Sequence, residues 1–99
     1  ACDDLFGALG SSDVQKGLAV VESLHRDGYN LQQFTTSFLG LLRTKLYEAV
    51  NGKKQNIIPK ILNWISLFDE AWIKLKRASI AQLPLEIAVI RATHTFAAK

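Results

Sequence analysis

The chain has 99 residues, 48% of them hydrophobic, with two Trp and five Phe. That is enough apolar material for one core and excludes a disordered segment. A net charge of +3 is mild for a compact nucleic-acid binder, the single cysteine, Cys2, excludes an internal disulfide and a cysteine-built zinc site, and no apolar run reaches the length of about 18 residues that a membrane span needs. Met is absent throughout, so the chain is expected to be a fragment of a longer protein, with residues 1–99 forming a single helical domain.

Asp3 to Leu9 reads as a short amphipathic helix, with Asp3 and Asp4 placed where the helix dipole favours anions and Gly10 breaking it. Ser12 is expected to cap the next helix, with Gln15 at the capping-box position and Asp13 in the first turn. Val14, Leu18, Val21 and Leu24 form one apolar stripe, and Gly28 ends it. His25 lies at the edge of that stripe. No second ligand stands four residues away, so it reads as structural.

The stretch from Asn30 to Gly52 is punctuated at both ends. Asn30 suits an N-cap with Gln33 three residues on, Tyr29 and Phe34 sit at hydrophobic-staple positions, and Gly52 is expected to close the helix in the left-handed conformation. Leu31, Phe34, Phe38, Leu39, Leu41, Leu42, Leu46, Ala49 and Val50 cover about half the circumference. Such a wide stripe predicts neighbours on two sides and a central place in the bundle. Lys45 falls within it, its stem on the core and its ammonium in water.

Lys53-Lys54-Gln55-Asn56 is a polar connector, and Pro59 suits the first turn of a helix running to about Ala78. Ile61, Trp64, Ile65, Phe68, Trp72 and Leu75 fall on one arc, which predicts both tryptophans in the core. Leu62 and Ile73 lie off that arc, either as a minor contact stripe or as scattered surface residues. Lys74, Lys76 and Arg77 complement the dipole in the last turns.

Ser79 to Leu83 reads as a loop, and Pro84 opens the last helix. Here Leu85, Val89, Ala92 and Phe96 form one stripe, and Ile87, Ile90, His94 and Ala97 another, with Glu86 and Arg91 between. A helix apolar nearly all round is buried all round. The second stripe therefore meets another chain, or the helix threads the middle of the bundle. Ile87, Ile90 and His94, with Leu62 and Ile73, are the candidate subunit interface.

No constellation for catalysis stands out. The glycines are isolated, and no His-x-x-x-His or Glu-x-x-His pair shares a helix face. Asp69 and Glu70 are successive on a helix and point apart. Lys53, Lys54, Lys60 and Arg77 could meet phosphates, but no exposed aromatic residues are interleaved with them.

The runs Gly28-Tyr29-Asn30, Gln33-Phe34, Leu39, Leu41-Leu42-Arg43 and Lys45-Leu46 resemble the C-terminal collar domain of the bacterial DNA polymerase III gamma/tau subunit. Leu9-Gly10, Asp13 and the stripe through Leu24 are similar to that domain's lead-in, and Leu83-Pro84-Leu85-Glu86-Ile87-Ala88-Val89-Ile90-Arg91 to its closing helix. The pieces occur in order over most of the chain; a departure is Asn30, where the family often has Asp. The resemblance implies an all-α, collar-like bundle of about five helices. It implies a parent that is an AAA+ clamp-loader subunit of the bacterial cytoplasm, with ATP and Mg held in N-terminal modules outside this chain. Its partners would be other clamp-loader subunits (gamma/tau copies, delta and delta prime). DNA would be met by the whole complex, and no membrane and no catalytic, cofactor or metal residue of this chain would be involved. Two other readings stay open: a free-standing helical adaptor, and a small nucleic-acid-binding domain using Lys53, Lys54, Lys60 and Arg77.

Overall fold

A computed structural model describes residues 2–52 and 55–94, with the backbone alone at His94. The chain is all-α. Its elements are α1 (Cys2–Gly10), α2 (Val14–Arg26), α3 (Leu31–Asn51), a short 3-10 turn (Gln55–Ile57), α4 (Ile58–Leu75) and α5 (Leu83–His94). The helices close a ring in the order α1, α2, α5, α4, α3, with α1 also touching α5. The expected central helix, α3, is therefore one wall of the ring, packed on α4 and meeting α1.

Each helix contributes its periodic stripe to one core. Leu5 and Leu9 enter from α1, Val21 and Leu24 from α2, and Leu31, Phe34, Phe38 and Leu42 from α3. Ile61, Trp64 and Phe68 of α4 and Leu85 and Val89 of α5 complete it. Aromatic rings join the layers: Phe38 stacks beside Phe34 at 6.2 Å and meets Phe68 edge-on at 4.9 Å. Phe6 meets Trp64 edge-on at 5.8 Å. Thr35 is buried on the core face of α3, where its hydroxyl donates to the Leu31 carbonyl at 2.7 Å and so leaves no orphan donor.

Of the two tryptophans expected in the core, only Trp64 is enclosed. Trp72 is half-buried at the rim, where its indole N–H donates to Thr36 Oγ1 at 2.9 Å. Gln32 Nε2 in turn donates to the Trp72 carbonyl at 3.2 Å, so this end of α4 is tied to α3 by polar bonds rather than by burial. Val50, placed by its periodicity on the inner face of α3, is exposed, because the cover over the last turn reaches Ala49 and not the side on which Val50 stands. Lys45 behaves as expected, with its ammonium 5.3 Å from the Phe6 ring and 3.9 Å from Glu48.

The helix boundaries show where local chemistry was misread. Asp13, not Ser12, caps α2, accepting from the Lys16 N–H at 3.1 Å. Ser12 instead adopts φ +57° and ends α1. The Asp13 N–H reaches the Ala8 carbonyl at 2.8 Å and the Ser12 N–H reaches Leu9 at 3.1 Å, a Schellman closure with a left-handed serine. Gly28, at φ +84°, closes α2 in the same way through the Tyr29 N–H to Leu24 and its own N–H to His25. A side chain at positive φ is strained, so Ser12→Gly should stabilise the protein by about 0.5 kcal/mol or more, measured as a rise in the urea midpoint. The Asn30 cap forms, with its side chain accepting from the Gln33 N–H at 3.0 Å. Gly52 is extended (φ −101°) and not left-handed; its N–H bonds the Glu48 carbonyl at 2.9 Å.

Gly17 sets the distance between α2 and α5. A Cβ there would stand 2.7 Å from Val89 Cγ1, against a buried, β-branched side chain with little freedom to turn. Gly40, on the outside of α3, has nothing within 4 Å. Gly40→Ala should therefore gain up to about 1 kcal/mol from helix propensity alone. Gly17→Ala gains the same propensity but overpacks α2 against α5, at a cost of about 1–3 kcal/mol, and should come out net destabilising. Denaturant titrations of the two variants should move in opposite directions; two rises of equal size would mean the α2–α5 approach is looser than this.

Candidate assembly surface

The connector between α4 and α5 folds back tightly. The Arg77 N–H bonds the Lys74 carbonyl at 3.0 Å, the Leu83 N–H bonds Ile80 at 3.1 Å, and the Glu86 N–H bonds Gln82 at 3.0 Å. This turn carries Ile80 and Leu83 outward beside the end of α4 and the start of α5. With Ile73, Pro84 and Ile87 they line a hollow of about 490 Å³, edged by Lys74 and Arg77. The side chains are well exposed for their size: Ile73 56%, Ile80 55%, Leu83 42% and Ile87 41%. Ile90, one turn beyond Ile87 on α5, is 42% exposed.

The two stripes of α5 are thus separated as the sequence suggested, but the alternative of a helix threading the bundle is not adopted. Leu85, Ala88, Val89 and Ala92 face the core, whereas Ile87 and Ile90 face outward. Of the five candidate interface residues, Ile73 and Ile87 share the hollow, and Ile90 lies next along α5. Leu62 lies elsewhere, with Tyr47, Val50 and Ile58 in a groove of about 480 Å³ between α3 and α4. The side chain of His94, like Lys53, Lys54, Phe96 and Ala97, is outside the described residues.

Sequence reasoning missed Ile80 and Leu83, which it assigned to a plain loop. Two large apolar side chains in a five-residue connector were the available signal, since connectors facing only water are usually polar. Tyr47 was missed too. It stands exposed on α3, with the Arg43 guanidinium 4.7 Å over its ring and Arg43 Nη2 donating to its hydroxyl at 3.2 Å.

Charges around the α4–α5 hollow are ordered by short pairs. Lys74 Nζ bonds Glu70 Oε2 at 2.8 Å, and Arg91 stands 3.9 Å from Glu70 Oε1. The hydrogen bond and charge of Lys74, with Arg91 behind them, hold the Glu70 carboxyl below its ordinary value. Elsewhere, burial pushes the Cys2 thiol up, which disfavours the nucleophilic thiolate. Among the described residues no three His, Cys, Asp or Glu side chains gather as a metal site, and no helix is long and apolar enough to cross a membrane.

Compared with family models, with curated proteins and with solved structures, the chain matches none. The surface offers four large apolar side chains at the edge of a folded bundle, framed by cations.

Proposed function

We propose that this chain is an assembly module that holds protein subunits together, and specifically the collar of a bacterial clamp-loader subunit of the gamma/tau kind. The exposed apolar corner of Ile73, Ile80, Leu83 and Ile87 carries the reading. Large apolar side chains grouped around one hollow favour burial against another protein, each contributing about 1 kcal/mol for the half that is exposed here. The collar segment of the reading rests on the ordered sequence resemblance, above all Leu83 to Arg91, which spans the outward Ile87 and Ile90. In that role the domain would join gamma/tau copies, delta and delta prime into the ring that loads the sliding clamp, while ATP is bound and hydrolysed in other modules of the parent.

The α3–α4 groove of Tyr47, Val50, Ile58 and Leu62 favours a second reading, an adaptor that takes a partner helix. Two experiments separate them. The reading frame upstream of Ala1 should encode a Gly-x-x-x-x-Gly-Lys-Ser/Thr phosphate loop within an AAA+ module; a frame without a nucleotide-binding module leaves the adaptor. Co-purification with delta and delta prime should be lost on replacing Ile87 and Ile90 together by Asp, and retention by a folded variant would sink the assignment of this surface.

A further inference from the structure

Charge is unevenly divided along this chain. The first thirty residues carry five carboxylates and two Lys or Arg side chains, whereas the remaining sixty-nine carry four carboxylates and ten Lys or Arg. The fold gives that division a spatial form. Asp3 and Asp4 lie in the first turn of α1, and Asp27 ends α2. Cys2 and Asp27 line one cleft of about 640 Å³ together with Leu24, Tyr29 and Phe34, so the start of α1 and the end of α2 lie side by side. Asp27 lines the cleft and is exposed, as are Asp3 and Asp4, which follow the cleft-lining Cys2 directly in the first turn of α1. Tyr29, the most exposed large apolar side chain described at 63%, lines the same cleft.

The α4–α5 corner is edged by cations, with Glu70 held between Lys74 and Arg91 behind it. Lys74 and Arg77 line the hollow, and Lys76 lies between them in sequence with its ammonium over the Trp72 ring at 4.7 Å. The two surfaces share no residue: one belongs to α1, α2 and the start of α3, the other to α4, α5 and their connector. Pairing corner to corner would set Lys74 and Arg77 against their own copies, and pairing the acidic ends would set Asp27 against Asp27. Like charges at an interface suppress such pairings, whereas opposite ones fix the register.

We propose that the α4–α5 corner receives the acidic α1–α2 end of a second copy of this chain, with the Tyr29 ring meeting the apolar hollow and Asp3, Asp4 and Asp27 meeting Lys74 and Arg77. The inference rests on reading the corner as an assembly surface and adds the identity and polarity of what covers it. Where that contact is not reciprocated it is head-to-tail, so a pair of copies keeps one free corner and one free end and can extend the assembly.

Sedimentation velocity over a concentration series tests this with two charge reversals, Lys74→Glu with Arg77→Glu, and Asp4→Lys with Asp27→Lys. All four positions are exposed, and thermal melts followed by circular dichroism confirm that each variant folds. Each reversal alone should weaken self-association by about 10-fold or more, because it sets like charges across the contact. An equimolar mixture of the two should regain wild-type association, since every contact between unlike variants again joins plus to minus. Loss in each variant with recovery in the mixture is the decisive result for a corner-to-end contact, because corner-to-corner and end-to-end pairing cannot produce both. Wild-type growth beyond a dimer with rising concentration marks the contact as head-to-tail, whereas a limit at the dimer overturns that polarity. An end reversal that associates like the wild type, or a mixture that stays as weak as its components, overturns the head-to-tail contact. A wild-type chain that is monomeric at every concentration also overturns it. The assembly reading itself is scored apart, by whether the Ile87→Asp, Ile90→Asp variant loses delta and delta prime.

Discussion

Replacing Ile87 and Ile90 together by Asp is expected to weaken subunit association by about 100-fold or more while the chain still folds. Two outward isoleucines contribute about 1 kcal/mol each when their exposed halves are covered. A carboxylate buried in the same contact without a partner adds a desolvation cost of about 1–3 kcal/mol. Together these exceed the 2.8 kcal/mol or so that corresponds to about two decades in Kd. The fold is affected less, because Leu85, Ala88, Val89 and Ala92, not these two, fill the core side of α5. Some loss of stability is still expected, as Ile87 and Ile90 each bury more than half their surface on the bundle. The milder Ile73→Ser, Ile80→Ser pair removes the two most exposed members of the hollow at smaller cost to folding, and should weaken association in the same direction. Binding measured by titration calorimetry, with helicity followed in parallel, decides the matter. Association unchanged in both folded variants would remove the corner from any interface.

Phe38→Ala should destabilise the protein by about 3–5 kcal/mol. Phe38 is fully buried where α3 crosses α4, stacked beside Phe34 and set edge-on against Phe68. Truncation loses the transfer energy of the ring, leaves a cavity walled by helices, and forfeits aromatic contacts of about 0.5–1.5 kcal/mol each. The neighbours cannot simply close in. Polar bonds from Gln32 and Thr36 to Trp72 hold α3 and α4 in register at one end, and the Phe34–Phe68 layer is already packed. Against a total stability of about 5–15 kcal/mol for a domain, such a loss takes the chain close to its unfolding threshold. Chemical denaturation would read it directly, and a loss below about 1.5 kcal/mol would mean that the site collapses around the missing ring.

The corner and the core answer to different parts of the same pattern. Along α5, alternate faces of one helix bury Leu85 and Val89 and present Ile87 and Ile90, and Gly17 lets α2 come close enough to fix which face is which. The outward stripe is thus held rigidly by the inward one. The groove between α3 and α4 has a different origin: Val50 and Leu62 are exposed on the sides of α3 and α4 turned away from the core, next to the buried Ala49 and Ile61.

The sequence by itself determined the helices and their inner faces. Asn30, Gly28 and Pro59 act on their own turns, and the stripes through Val21, Phe38, Phe68 and Val89 follow from the helical repeat, so both are local properties of the chain. Its split of α5 into two stripes was legible for the same reason. Tertiary structure alone decided which periodic residues were covered. Trp64 and Trp72 fall on one arc, yet only the first lies beneath neighbouring helices, because cover depends on segments far away in sequence. The exchange of Ser12 for Asp13 as the cap depended on how α1 turns into α2, where one backbone had to enter the left-handed region. The hollow itself required Ile73, Ile80, Leu83 and Ile87 to converge from a helix end, a connector and a second helix. Helical periodicity says nothing about how a connector folds back, so Leu62 could be grouped with Ile73 on one helix face while packing set them beside different neighbours.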